Sequence, residues 1–204
     1  MNSKGKSRNQ GKQERSKSMV ESIVEAATRV FKSSPFSKAT TNRIAEVAGV
    51  SIGSLYQYFP NKESLIGLII QRRLDDQLEA LERHLEGAKG MPLETVIDRF
   101  IRKLADDSLS HRTLLRSIYR QGVVLDQIPE VIENRRQVCS KIQSFLVQNG
   151  HLAEVSDEVL SARIHVAVNG AVGALISLVV ADENSNFDGQ AVSEISRMVF
   201  LALK

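Results

Sequence analysis

The chain has 204 residues, 42% hydrophobic and 25% charged, enough apolar material to build a core and enough length for one large domain or two small ones. No uninterrupted apolar run approaches the roughly 18–20 residues that would cross a bilayer. The longest, Ala171–Ala181, ends at Asp182 and Glu183, and the polar, basic N-terminus does not read as a secretory signal. The cytoplasm is therefore the expected compartment, and no membrane partner is expected. The lone Cys139 excludes an internal disulfide, and His84, His111 and His151 lack partners at ligand spacing, so neither a metal nor a cofactor is expected. The net charge of +3 is unevenly divided. Residues 1–62 carry 11 Lys and Arg against 4 Asp and Glu, a net of +7, and residues 63–204 carry 16 against 20, a net of −4. A basic front and an acidic back suit a chain whose front meets a polyanion; a solubilising tail would give the same count.

Residues 1–17 have no apolar side chain after Met1, and the expectation is a disordered basic arm. Whether it reaches a DNA groove or does nothing specific stays open. From residue 18 the chain reads as helix after helix. Val20, Ile23, Val24, Ala27, Val30 and Phe31 recur at a spacing of three to four and define a first amphipathic helix, stopped at Ser33-Ser34-Pro35. Thr40 is placed to cap a second helix over 41–48, closed by Gly49 in the manner of a left-handed C-cap. Ser51 caps a short third helix ending near Tyr58–Pro60, and Asn61 caps a long fourth one. A fifth stripe (Leu93, Val96, Ile97, Phe100, Ile101, Leu104) follows the break at Gly87–Pro92. Then come a shorter helix over Arg112–Gln121, one from Pro129 to Asn149–Gly150, and a strongly apolar one over about Ser156–Ala181. The polar loop 182–189 leads to a last helix with Val192, Ile195, Val199 and Leu203. No period-2 strand stands out, and the predicted fold is all-α with about nine helices.

The informative stretch is 40–65, Thr-Thr-Asn-Arg-Ile-Ala-Glu-Val-Ala-Gly-Val-Ser-Ile-Gly-Ser-Leu-Tyr-Gln-Tyr-Phe-Pro-Asn-Lys-Glu-Ser-Leu: a helix, a turn on Gly49 and a second short helix, hence a helix-turn-helix. Val47, Val50 and Leu55 would pack inward, leaving Ser51, Ile52, Ser54, Gln57 and Tyr58 outward. Hydroxyls suit phosphate oxygens. Gln57 suits a base edge, Ile52 a thymine methyl, and Gly53 a close backbone approach. As a set these residues are similar to the DNA-binding domain of the TetR (tetracycline repressor) family, with Thr40, Thr41, Ile44, Ala45, Ala48, Gly49, Val50, Ser51, Gly53, Leu55, Tyr56, Tyr58, Phe59, Lys62, Glu63 and Leu65 in register and Ala26, Ala27 and Phe31 upstream. The likeness covers about residues 18–66. Departures are Pro35-Phe36, where Gly plus an aromatic is usual, and Ile52, where polar residues are common.

The resemblance implies a DNA-binding domain over 18–63 and a helical effector-binding and dimerisation domain over 64–204. It implies that Thr41, Ser51, Tyr56, Tyr58 and Lys62 meet the DNA backbone while Asn42, Ile52, Gly53, Ser54 and Gln57 lie near base edges, with Thr40 also among the DNA-binding residues. It further implies a homodimer closed by the last two helices and a small-molecule effector that releases palindromic double-stranded operator DNA. For the dimer face the candidates are Val166, Gly170, Gly173 and Ser177, with Val192, Ile195 and Val199; the small residues at helical spacing are equally compatible with packing inside one subunit. For the effector pocket they are Phe100, Leu104, Arg116, Tyr119, His165 and Asn169. The His165–Asn169 pair also suits a hydrogen-bonded core pair. Arg112, Arg116, Tyr119 and Arg120 suit an anionic effector or an ion-pair network. No phosphate loop, nucleophile elbow or HExxH is present, so an enzyme is not expected. An architectural DNA binder with the same head, distinguished by a low specificity ratio, and a helical scaffold are the remaining alternatives.

Overall fold

The computed structural model describes residues 3–34, 38–119, 128–180 and 189–204. The described residues form helices α1 (Ser3–Ser33), α2 (Thr41–Ala48), α3 (Ile52–Tyr58), α4 (Lys62–Glu86), α5 (Leu93–Ser110), α6 (Arg112–Tyr119), α7 (Pro129–Gln148), α8 (Asp157–Val180) and α9 (Gly189–Leu203), with no strand among them. Pro35-Phe36, the predicted end of the sixth helix at Arg120–Gln121 and the polar loop over 182–188 lie outside the described residues. The all-α expectation is met.

The chain separates into two compact units, Met1–Arg72 and Arg73–Lys204, so α4 contributes to both. The division falls later than the boundary the motif suggests, and Leu65, Ile66, Ile69 and Ile70 of α4 are buried before it. Within the first unit, Ile23, Ala26, Ala27, Phe31, Ile44 and Leu55 are buried, joining α1, α2 and α3 into one apolar core. Glu21 and Arg72 form a bidentate ion pair at 2.6 and 2.7 Å.

One expectation is corrected here. The segment 3–17 continues α1 as helix where an unstructured arm was expected. Its Lys, Arg, Gln and Glu residues are good helix formers, and extending an existing helix costs far less than nucleating one. The side chains of Gln13, Glu14, Arg15 and Lys17 are exposed.

In the second unit Leu160, Ile164, Ala167, Ala171 and Leu175 of α8 are buried in one cluster with Val96, Ile97, Ile101 and Ala105 of α5, Phe145 and Leu146 of α7, and Val192, Ile195, Val199 and Leu203 of α9, and Val179 further along α8 is buried as well. Cys139 is buried in that cluster, and desolvation pushes its thiol above the ordinary value. By length and mean hydropathy, 1.7 over its most apolar window, α8 is apolar enough to cross a membrane. Ser, Arg, His, Asn and Gly punctuate its sequence, so its longest apolar run is the C-terminal part from Ala171. One stripe of it packs into the core of the second unit while Val166, Gly173 and Ser177 are exposed on another side.

Candidate nucleic-acid interface

Each piece of the helix-turn-helix is held by a local device. Thr40 Oγ1 accepts from the backbone N–H of Arg43 at 3.2 Å, so α2 starts where its hydroxyl replaces a missing helical partner. Gly49 has φ 68° and ψ 30°, and its N–H closes α2 onto Ala45 and Glu46 carbonyls. This left-handed geometry disfavours any residue with a Cβ. Two residues on, Ser51 Oγ accepts from Ser54 N–H at 3.0 Å and lies 2.8 Å from Ser54 Oγ. Asn61 Oδ1 accepts from Ser64 N–H at 2.8 Å and starts α4. Ile44 and Leu55 are fully buried beneath, so the two helices cannot rotate without opening the core.

What remains outside is the face singled out by the sequence. Thr40, Asn42, Ser51, Ile52, Gly53, Tyr56 and Gln57 are exposed, and Thr41, Ser54, Tyr58 and Lys62 are half-buried. Ile52 and Tyr56 stand 38% and 49% exposed, large apolar or aromatic surfaces in water on a seven-residue helix. The hydroxyls of Thr41 and Tyr56 are 3.0 Å apart and tie α2 to α3. A Cβ added to Gly53 would meet nothing nearer than Ser51 Oγ at 3.9 Å, so the protein's own packing does not call for glycine there.

The second unit sorts the other candidates differently. Val192, Ile195 and Val199, expected at a subunit contact, are buried inside the unit, because this stripe of α9 is the one that packs into the α5–α8 core. Val166, Gly173 and Ser177 are exposed on α8, and Gly170 is half-buried, with Met198 Cε 3.3 Å from where its Cβ would stand. Met198 and Leu201 of α9, passed over in the sequence, are exposed apolar residues. Helix α9 is apolar on two sides, and periodicity alone picks only the stronger.

His165 and Asn169, expected to line a pocket, are exposed on the same side of α8 as Val166 and Gly173. Their side chains bond back to their own helix, His165 Nδ1 with the Ser161 carbonyl and Asn169 Nδ2 donating to the His165 carbonyl, both at 2.8 Å. The remaining pocket candidates are interior or half-interior. Phe100 stacks obliquely on His84 at 5.2 Å between ring centres, Leu104 packs on the core, and Arg116 Nε donates to the Val179 carbonyl at 2.6 Å. Tyr119 is half-buried, and its hydroxyl lies in the electrostatic reach of Arg73.

Sequence reasoning missed Arg73 itself. Its side chain is 15% exposed, its Nη2 meets Asp107 Oδ2 at 2.7 Å, and burial pulls its pKa below the ordinary value against the opposing pull of Asp107. Asp107 also accepts from Gln77 Nε2 at 3.1 Å and lies 3.3 Å from His111 Nδ1. Thirty-four positions separate Arg73 from Asp107, so no local signal could have paired them. No group of three or more metal-ligating side chains occurs among the described residues.

An exposed short helix set by caps and a left-handed glycine against a second helix is the arrangement of one class of helix-turn-helix DNA-binding proteins. Comparison with known proteins is consistent with that class. Residues 23–69 match the profile of bacterial regulatory proteins of the tetR family. The HTH-type transcriptional regulator UidR of Escherichia coli K12 is 28% identical over 137 residues, 67% of this chain and 67% of that protein. Among solved structures, a tetR-family transcriptional regulator from Streptomyces coelicolor superposes with a TM-score of 0.70 at 20% identity, over 90% of this chain and 79% of that one. Thermus thermophilus FadR, a TetR family transcriptional repressor solved in complex with lauroyl-CoA, gives 0.64 at 20% identity over 90% and 92%. Residues 23–69 are thus similar to the DNA-binding segment of tetR-family regulatory proteins, and the whole chain shares the helical fold of solved members of that family.

Proposed function

We propose that this regulator is a homodimeric repressor that leaves a palindromic operator when a small molecule binds its second unit, working in the cytoplasm with the DNA it controls. The observation that carries the DNA half of this reading is the exposed α3 face with Ile52, Gly53, Tyr56 and Gln57 outward over a buried Leu55. In this reading Gln57 and Ile52 address base edges, Asn42, Gly53 and Ser54 lie beside them, and Thr40, Thr41, Ser51, Tyr56, Tyr58 and Lys62 hold the backbone. The free space over Gly53 supports a close approach of DNA at that point.

The dimer half rests on the outer side of α8 and α9. Val166 is 64% and Leu201 58% exposed, and with Met198, Gly173 and Ser177 they make a face of apolar and small residues of the kind that a second helix pair covers. A two-fold dimer would present two reading helices to two half-sites about 34–36 Å apart, one turn of DNA. The effector half is supported by a relative of this fold having been solved with lauroyl-CoA and by the charged interior around Arg73. Release requires only that the effector bind one spacing of the heads better than the other, ~10⁴-fold for a complete switch.

The test is selection of bound duplexes from a random pool at ~150 mM salt, followed by footprinting. The expected result is an inverted repeat protected on both half-sites, with affinity roughly 10³-fold or more above random duplex. A preference below tenfold sinks the repressor reading and favours an architectural binder.

A further inference from the structure

We infer that the second unit holds a binding site for an anionic amphiphile, with Arg73 as the anchor for its carboxylate or phosphate head and Leu104 and Phe100 beside its apolar part. Arg73 is a guanidinium with two terminal amines, of which one is accounted for. Nη2 is held by Asp107, whereas Nη1 is buried and has no hydrogen-bond partner among the described residues. A buried charged donor left without an acceptor is costly, and native proteins rarely leave one so unless a ligand completes it. Asp107 meets Arg73 through Nη2 alone, its Oδ2 also accepting from Gln77 Nε2 and its Oδ1 lying 3.3 Å from His111 Nδ1. These contacts fix Asp107 and, through it, the plane of the Arg73 fork. The free half of that fork is suited to a planar or tetrahedral anion.

The neighbouring residues give the shape of the rest of the ligand. Phe100, Leu104 and Asp107 of α5 and its C-cap residue His111 succeed one another at intervals of three and four and form one stripe, polar at the Arg73 end and apolar at the other. From Phe100 to His111 this stripe is about 16 Å long at 1.5 Å per residue, the length of a medium acyl chain. On α6, the helix that brings Tyr119 to Arg73, Ser117 Oγ is likewise buried with no hydrogen-bond partner among the described residues.

The inference rests on the effector reading for its biological meaning and is tested independently of it. Dodecanoate and dodecyl phosphate, each below its micellar concentration, are titrated calorimetrically against the full chain, alongside methyl dodecanoate and dodecyltrimethylammonium. Methyl dodecanoate keeps the carbonyl acceptor and loses the charge. At least one of the two anions is expected to bind, and the ester and the cation at least tenfold more weakly or not at all. Arg73→Lys keeps a charge that reaches Asp107 but loses the fork. It should weaken anion binding roughly 10- to 100-fold, the size of one charge-assisted hydrogen bond, while the melting temperature without ligand stays close to that of the parent. Arg73→Met is the second variant and should abolish the preference for the anion over the ester. Failure of both anions to bind, equal binding of the ester, or unchanged binding by Arg73→Lys each overturns the inference. Anion binding that leaves operator affinity untouched would keep this site and remove the effector reading. Release of operator by the cation or the ester, indifferent to Arg73, would do the reverse.

Discussion

The hydroxyl of Tyr56 lies 3.0 Å from that of Thr41, across the two helices of the DNA-binding motif and fifteen residues apart in sequence. Either oxygen can donate, so the pair can turn one hydrogen outward to a phosphate while holding the inter-helix angle with the other. Tyr56→Phe and Thr41→Val should each weaken operator binding about three- to tenfold, an exposed neutral hydrogen bond contributing roughly 0.5–1.5 kcal/mol. The double variant should lose less than the sum, as groups in direct contact couple. Fluorescence anisotropy on a labelled operator measures all four proteins; strictly additive losses would mean the bridge does not orient α3.

Gln57 and Lys62 should separate into two kinds of contact. Gln57→Ala is expected to relax preference at one base pair, by ~1–3 kcal/mol of discrimination. Lys62→Ala should weaken binding to every duplex alike and lower the slope of log affinity against log salt by about one unit. A salt series on the operator and on single-base variants of it distinguishes them. A uniform loss with Gln57→Ala would assign it to the backbone instead.

Gly49 is required by its dihedral angle rather than by space, since a Cβ there would meet nothing within 4 Å. Gly49→Ala should cost about 1–2 kcal/mol and Gly49→Asn less, because Asn tolerates the left-handed region. The order of melting temperatures, Gly above Asn above Ala, is the readout. Equal values for all three would show that the turn relaxes.

For the proposed dimer, Val166→Glu places a charge on the exposed face of α8 without touching the buried stripe. Sedimentation should then show monomer at concentrations where the parent is dimeric, with helix content unchanged. Ile195→Glu should instead unfold the second unit, Ile195 being buried at 6% exposure.

Glu21 and Arg72 supply a pH dependence whose sign is fixed. The Arg72 guanidinium hydrogen-bonded to Glu21 holds its carboxyl below the ordinary 4.5. The stabilisation is therefore complete above about pH 4.5 and is lost as pH falls below it. Because the side chains are 36% and 55% exposed, screening limits it to ~0.2–1 kcal/mol. The urea midpoints of the parent and Glu21→Gln should differ at pH 6 and converge by pH 3; a constant gap would mean the pair contributes nothing as ions.

The reading motif was legible because each of its devices acts within a few residues. Thr40 reaches Arg43, Ser51 reaches Ser54, Asn61 reaches Ser64, and Gly49 needs no partner at all. The interior of the second unit was not legible, because Arg73 meets Asp107 and Arg116 meets Val179 over long sequence separations that no spacing rule encodes. The outer and inner sides of α9 were exchanged for a related reason. Both carry apolar residues at helical spacing, and only the packed structure shows that Val192, Ile195 and Val199 face in while Met198 and Leu201 face out. The expectation of an unstructured arm rested on composition, which measures what can be buried, whereas the structure continues α1 through Ser3, and extending a helix already begun costs little.

Cys139 is the chain's single cysteine, sealed in the α7 side of the core with its thiol made still less reactive by burial. A thiol reagent can reach it only when that core opens, so the rate of its labelling clocks the opening with no introduced probe. Any compound that prefers the closed form slows the clock by the factor its concentration and affinity dictate. The regulator thus contains a natural gauge for screening metabolites whose identity is not known in advance.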